Sequence, residues 1–423
     1  MNRPSFPRLR FGLLSIAVLF GGITSALADS AADARRLVEQ LGSERFSDRA
    51  AATRELQRLG RDAIPQLVAG VRSADAETRR RSLYILRELA SSDDVADADA
   101  VFTALTTLAA ESNSTAQSLA EETLRDVRKE RAEAAIEQLR RLGADVSVLA
   151  GEGIVVQLRA NWHGTERDLA LLSRVEHVQR LSIEDKEVGD QLLEHVAELS
   201  ELEWLYIGSS RVTGKALQKL AGLTQLRTLS LRKSGLSDAD FLQLPAMPNL
   251  EALGLDGTQI TDVALDHLAD FPAVRTLWLD DTNITSAGLS KLVVLSDLSV
   301  LYLSGTNVSG PGLAELHKLP ELRSISLKNC ALTPDDMERL SGLNELDNLG
   351  LDHTSVSNEH LLRLDNLPKL RTLWLSKCPV TDEAVDHLAR FNTLQTLYLH
   401  GSEISEHGAK DLKKALPECQ VLR

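Results

Sequence analysis

From Val178 to about Pro417, leucine and its aliphatic substitutes recur on one fixed frame. The frame is 24 residues long and restarts at Val178, Leu202, Leu226, Leu250, Val274, Leu298, Leu322, Leu346, Leu370 and Leu394, without insertion or deletion. Each unit reads L-x-x-L-x-L-x-x-[T/S/C]-x-[I/V/L]-[T/S]-x-x-x-L-x-x-L-x-x-L, as in LEALGLDGTQITDVALDHLADFPA from Leu250. The opening L-x-x-L-x-L alternates with period two and predicts a short strand with inward leucines. The eleventh position is always aliphatic, and the twelfth is Ser or Thr from Thr213 to Ser405. An acid often follows, as in Thr261-Asp262 and Thr381-Asp382. This predicts a helix N-cap with acid in the first turn, then a helix burying residues such as Leu289, Leu292 and Leu295. So short a unit buries its apolar face only by stacking on its neighbours, so the pattern predicts a solenoid.

Upstream, from Asp29 to about Gly143, the spacing is helical throughout. Ser47 reads as an N-cap, Leu56 and Leu59 lie on one helix face, and Ile64, Leu67, Val68 and Val71 belong to a second helix. A third presents Leu83, Leu86 and Leu89. The stretch DRAAATRELQRLGRDAIPQLVAGVRSADAETRRRSLYILREL resembles HEAT-type helical hairpins over one and a half units. Ser91 to Asp99 is polar and alanine-rich and is expected to be a connector. A longer helix follows, from about Ser114 to Leu142, with Gly143 as its stop and a polar face suited to capping the repeat stack. Between Gly153 and Glu176 a degenerate unit has its strand, Val156 and Leu158, one residue out of frame. Trp162 there is expected to cover the core edge.

The ten in-phase copies resemble leucine-rich repeat proteins of the bacterial T-x-I-T-D-x-G/A-L-x-x-L type, over about 240 residues. The resemblance implies an α/β solenoid, a horseshoe with a parallel sheet on the concave side and helices on the convex side. The domain reading is therefore 1–28 targeting segment, 29–143 HEAT-like helical domain and N-terminal cap, and 144–423 repeat solenoid with a short C-terminal cap. One departure concerns the usual ladder asparagine, replaced here by Ser210, Ser234, Thr258, Thr282, Thr306, Cys330, Thr354, Cys378 and Ser402. Weaker internal backbone bonding is expected along that row.

A longer period runs along the concave face. The residue between the last two strand leucines is Ser230, Gly254, Trp278, Tyr302, then Ser326, Gly350, Trp374, Tyr398. Four letters thus come twice, 96 residues apart, behind Ser182 and Tyr206. The second strand position gives Arg227, Glu251, Arg275 and then Arg323, Asp347, Arg371. With strands about 4.8 Å apart, these predict Arg-acid-Arg ion triads across three strands. Two readings stand: a pair of equivalent binding patches built on Trp278, Tyr302, Trp374 and Tyr398 with Arg275 and Arg371, extended by Trp204 and Tyr206, or the trace of a duplicated block.

Charge narrows the partners. The net charge of −14 lacks the basic footprint of phosphate contacts, so nucleic acid is not expected. Residues 1–28 carry Arg3, Arg8 and Arg10, an apolar run from Phe11 to Phe20, and Ala26-Leu27-Ala28, the form of a secretory signal. Its removal would take the charge to −17 and leave an exported chain, periplasmic or extracellular, without stable membrane insertion. An uncleaved anchor is the alternative. Cys330 and Cys378 lie two units apart, roughly 10 Å and too far for a disulfide. Asp256, Asp280 and Asp281 gather at strand ends in a way that would suit calcium, though without a known loop spacing. His353 and His400 lack a third ligand, so no metal is assigned. No nucleophile-base spacing, phosphate loop or cofactor motif is found, so no catalytic residue and no cofactor are assigned. The expected function is a non-enzymatic interaction scaffold binding a protein, with a glycan or cell-wall polymer as the alternative ligand.

Overall fold

The computed structural model describes residues 31–92, 95–111, 115–151, 153–184 and 188–423. The targeting segment expected over residues 1–28 lies outside them. The chain divides after Ala134 into two compact units, the second being Ala135–Arg423. Among the described residues no helix is long and apolar enough to cross a membrane.

The first unit is helical: α1 (31–40), α2 (Phe46–Leu59), α3 (Ile64–Val71), α4 (Ala76–Ala90), α5 (Val95–Ala109) and most of α6 (Thr115–Arg141). Its own core gathers Leu41, Leu56, Leu67, Ile85, Leu86, Leu105 and Leu108. Two local expectations fail. Ser47 does not cap α2; the cap residue is Arg45, and the Ser47 hydroxyl donates to Asp48 at 3.2 Å. The connector expected over Ser91 to Asp99 gives way to helix from Val95, because its alanines favour helix. Asp97 in that helix also accepts from the Arg61 amide at 3.1 Å.

The end of α6 belongs to the second unit, where Ala135 and Leu139 join the solenoid core. Gly143, at φ +91, ends the helix. The Ala144 amide donates to the Leu139 carbonyl at 2.9 Å and that of Gly143 to Arg140 at 3.0 Å, the paired bonds of a Schellman ending.

Among the described residues thirteen strands form one sheet in sequential order. They are β1 (Asp145–Val148), β2 (Ile154–Leu158), β3 (Val178–Glu184), β4 (Trp204–Gly208), β5 (Thr228–Ser230), β6 (Ala252–Gly254) and β7 (Thr276–Trp278). They continue as β8 (Val300–Tyr302), β9 (Ser324–Ser326), β10 (Asn348–Gly350), β11 (Thr372–Trp374), β12 (Thr396–Tyr398) and β13 (Gln420–Leu422). Only β1 and β2 pair antiparallel. The pattern did not announce β1, whose apolar alternation is just Val146 and Val148. The one-residue offset of the degenerate unit is a bulge: Ile154 pairs with Val178 but Val155 with Arg180, passing over Gln179. Trp162 packs against the core, as its sequence context implied. This is the leucine-rich repeat horseshoe fold, preceded by a helical segment.

Each unit is held from inside by its leucines; Leu250, Leu253 and Leu255 are wholly buried. From β5 onward the strand proper spans only positions three to five, and the eighth position turns the chain. There Ser209, Lys233, Gly257, Asp281, Gly305, Asn329, His353, Lys377 and Gly401 all take the left-handed conformation, at φ +52 to +69. Glycine and small polar residues visit that region most readily, which explains most of the row.

The acid after the Ser/Thr works between units rather than within its own helix. Asp190, Asp238, Asp262 and Asp382 each accept from the backbone N–H and hydroxyl of the twelfth residue in the next unit. For Asp238 and Thr261 both distances are 2.7 Å. Where this acid is replaced by Gly214 or Gly310, an acid of the following unit takes over. Asp240 accepts from the Gly214 amide and the Ser237 amide and hydroxyl at 2.9, 3.1 and 2.6 Å. Asp336 does the same for Gly310 and Thr333 at 2.6, 2.8 and 2.8 Å. These two clasps are 96 residues apart, so the longer period is built into the fold as well as the face.

The hydroxyls of the ladder row bond mostly within their own unit. Ser234, Thr258, Thr282, Thr306 and Thr354 donate to the carbonyl three residues earlier at 2.5–2.6 Å. The free, buried thiols of Cys330 and Cys378 instead reach the preceding unit, donating to Leu303 and Leu351 at 3.3 and 3.1 Å. The hydroxyls of Ser210 and Ser402 are buried without a hydrogen-bond partner among the described residues.

Candidate partner-binding face

The parallel register that stacks the leucines inside also lines up the fifth positions outside. It sets Trp278 beside Tyr302 and Trp374 beside Tyr398. Neighbouring strands lie about 4.8 Å apart, so flat side chains on adjacent strands must stack. The Trp278 and Tyr302 rings are 6.0 Å apart and 5° from parallel; those of Trp374 and Tyr398 are 5.6 Å and 6°. All four are half-buried. Trp204 and Tyr206 form a third stack, at 5.9 Å and 9°, but along one strand instead of across two.

On the other side of each tryptophan the row carries no side chain, and the glycine there is buried. Gly254 pairs with Trp278 and with Ser230, and Gly350 with Trp374 and Ser326. A Cβ on Gly254 would lie 2.8 Å from the Ser230 hydroxyl, and one on Gly350 would lie 3.1 Å from that of Ser326. The glycines therefore leave two gaps, or slots, in the outward row, each beside a tryptophan, where an added side chain would crowd the neighbouring serine.

The ion triads do not form as expected. Arg227 pairs with Glu251, but Arg275 turns to Asp297 at 3.0 Å and Arg323 to Glu321 at 3.3 Å. Asp347 accepts from the amide side chain of its neighbour Asn348, and Arg371 has no ion pair among the described residues. The physical reason is position. These arginines precede the strand, so their stems are not fixed on the pleated face, and an acid in the loop just before the strand is within reach. Arg275 and Arg371 thus sit at the rim of the slots, exposed and not held in a network. A cleft of about 250 Å³ lies at this rim, lined by Arg227, Glu251, Arg275, Pro248 and Asn249.

Carboxylates line the opposite end of the strands. Asp256 faces Arg232 at 3.2 Å, and the amides of Ser304 and Ser376 donate to Asp280 and Asp352 at 2.5 and 2.7 Å. Burial pushes the Asp256 and Asp280 carboxyls above the usual range, against the pull of Arg232 on the first and of the Ser304 hydrogen bonds on the second. Burial also raises the Tyr206 phenol, with Arg232 opposing and Glu184 adding. Asp256, Asp280 and Asp281 do not converge into a donor set; among the described residues no group of three metal-type ligands is found. His400 packs on Tyr398, at 6.3 Å between rings. Sequence reasoning found the aromatic row and Asp256 but missed Asp352, which stands 96 residues on in the matching place. The signal was present: each follows a glycine of the row by two residues.

No protein-family model matches the chain, and no curated protein matches it. Among solved structures, it is similar to an internalin (inlF) from Listeria monocytogenes, with 16% identity and a TM-score of 0.40, covering 70% of this chain and 94% of that one. It is also similar to the LRR ectodomain of the Arabidopsis receptor kinase HAESA, which was solved with an extended IDA peptide hormone ligand. That likeness has 20% identity and a TM-score of 0.46, over 65% of this chain and 50% of the other.

Proposed function

We propose that this chain is an exported, non-enzymatic interaction scaffold, periplasmic or extracellular, that binds a protein partner on the concave face of its sheet. In this reading the repeats are of the bacterial 24-residue type and residues 29–143 are a HEAT-like segment ahead of the solenoid. Trp278, Tyr302, Trp374 and Tyr398 are the anchors, Trp204 and Tyr206 extend the surface, and Arg275 and Arg371 flank it. One observation carries the proposal: two parallel Trp–Tyr stacks stand in register on a rigid sheet. Aromatics held in this way cover large area at little entropic cost, which is how binding hot spots are built. The fold does not require them, because Ser230 and Gly254 occupy the same strand position.

A glycan is the second reading, favoured by the same half-buried aromatic rings, whose faces can stack on a sugar. Capture from an envelope extract, with the native chain beside a Trp278→Ala/Trp374→Ala variant, separates the possibilities. A protein retained by the native chain and lost from an equally well-folded variant is the expected result. Capture unchanged by the double substitution would move binding off this face. Glycan-array signal without a protein partner would favour the second reading.

A further inference from the structure

We infer that the joint between the units 322–345 and 346–369 opens in mild acid, which makes it a pH-sensitive hinge in the stack. The Asp240 and Asp336 joints are alike in the two blocks, but the joint after each is not. In the first block Asp238 accepts from the Thr261 amide and hydroxyl across that joint. In the second block Pro334 stands 96 residues on from Asp238, and its side chain offers no acceptor. The Ser357 amide and hydroxyl turn instead to His360, where the first block has Ala264. They lie 3.2 and 3.0 Å from its Nδ1, and its Nε2 lies 3.3 Å from the Leu332 carbonyl of the preceding unit.

These partners define the state of the ring. A backbone N–H only donates and a carbonyl only accepts, so Nδ1 is bare and Nε2 carries the proton. Protonation at Nδ1 would remove the acceptor that the Ser357 amide uses, at a buried ring. A histidine free in water takes up that proton at about pH 6.5, whereas a carboxylate does so only near 4. The contribution of His360 is therefore present above about 6.5 and lost as the pH falls below it. The other joints from Thr213 to Ser405 do not share this window. They are made by aspartates, by Ser286 with the Ser309 amide at 2.6 Å, and by Asn358 with the Thr381 amide at 3.0 Å.

Charged neighbours do not hold the proton in place. The helix of His360, Asn358–Arg363, carries Glu359 and Arg363. The helix before it, Pro334–Leu340, brings Asp335, Asp336, Glu338 and Arg339. The segments after it, Asp382–Ala384 and Val385–Leu388, bring Asp382, Glu383, Asp386 and His387. Asp335 is paired with Arg363, Asp336 with Arg339 and Thr333, Asp382 with Ser405, and Glu383 with Asn358. Among the described residues none makes an ion pair with the His360 ring. The hinge lies at β10, between the Trp278–Tyr302 and Trp374–Tyr398 stacks, so opening it changes how the two are placed.

Amide exchange of the full chain, read by mass spectrometry at pH 7.5, 6.5 and 5.5 and corrected for the intrinsic rate, tests the joint. Peptides spanning 354–362 should lose protection about tenfold between pH 6.5 and 5.5, the effect of one proton taken up on opening. Peptides spanning 258–266, served by Asp238, should not change. His360→Asp supplies the carboxylate that Asp240 and Asp336 place at the same helix position, and should keep protection at all three values. His360→Ala should exchange fast at all three. Equal protection of the native 354–362 peptides at pH 6.5 and 5.5, or the same acid loss in His360→Asp, would overturn the inference.

Discussion

Residues 226–321 and 322–417 are the same four-unit block met twice, and what differs between them shows which positions the fold leaves free. The concave row, Ser-Gly-Trp-Tyr, is identical in both, and so is the convex clasp, with Asp240 and Asp336 bridging from Gly214 and Gly310. Other rows have diverged. Ser234 and Thr282 face Cys330 and Cys378 in the ladder, Gly257 faces His353 in the left-handed turn, and Arg232 faces Lys328 at the slot. The ladder tolerates change because a hydroxyl or a thiol can each find a carbonyl. The clasp does not, because it must satisfy backbone donors in two units. The aromatic row has no such structural duty, yet its letters are the same. That contrast is the physical ground for assigning it to binding.

The largest effect should be shared equally. Leu253→Ala and Leu349→Ala each empty a wholly buried site at matching strand positions, at a cost of about 2–5 kcal/mol. Denaturant unfolding should place the two close together; a clear gap would mean that the two cores are not packed alike. The clasps should split the blocks. Asp336 is wholly buried and also meets Arg339 at 3.3 Å, so Asp336→Ala should cost about 2–3 kcal/mol by leaving buried donors unpaired. Asp240 is less buried, and its loss should cost less.

The Asp240 clasp also carries a pH signature. The Ser237 hydroxyl, then the Gly214 amide, hold its carboxyl below the usual range. Its stabilisation is therefore present above the ordinary value of about 3.9 and lost as the pH falls through the lower folded value. Asp240→Asn should flatten that acid limb.

Smaller effects of opposite sign are expected at the left-handed turn. His353→Gly should stabilise by about 0.5–1 kcal/mol, because it relieves a residue at φ +58. Gly257→Ala should destabilise, since φ is +69 and the new Cβ would lie 3.0 Å from Lys233. The smallest change is Asp256→Asn, expected to raise the melting temperature slightly at pH 7. Burial raises this carboxyl, so the fold penalises the charged form. That penalty is absent below the unfolded pKa and sets in as pH rises through it, so the gain should vanish in acid.

The leucine frame made the strands, their register and the outward row legible, because burial and alternation are both written in residue type. The rest depended on choices between near neighbours. The pattern gave Arg275 an acid on the next strand, Glu251, and a closer one in the loop, Asp297; geometry decided for the loop. Asp262 reads as a helix-opening acid and serves the following unit's Thr285 instead, because the stack brings that unit within 2.8 Å. Asp352 went unnoticed because an acid at a strand end looks like ordinary surface. The run from Val95 read as linker through its polar residues, although its alanines favour helix.

Whether the two slots are one site repeated is tested most directly by calorimetric titration of the captured partner against Trp278→Ala, Trp374→Ala and the double variant. Equivalent slots predict the same loss for each single change, about 30-fold for a hot-spot aromatic, and a double loss near the product of the two. One substitution abolishing binding while the other leaves it intact would contradict equivalence. A double variant that binds as the native chain does would contradict binding at this face altogether.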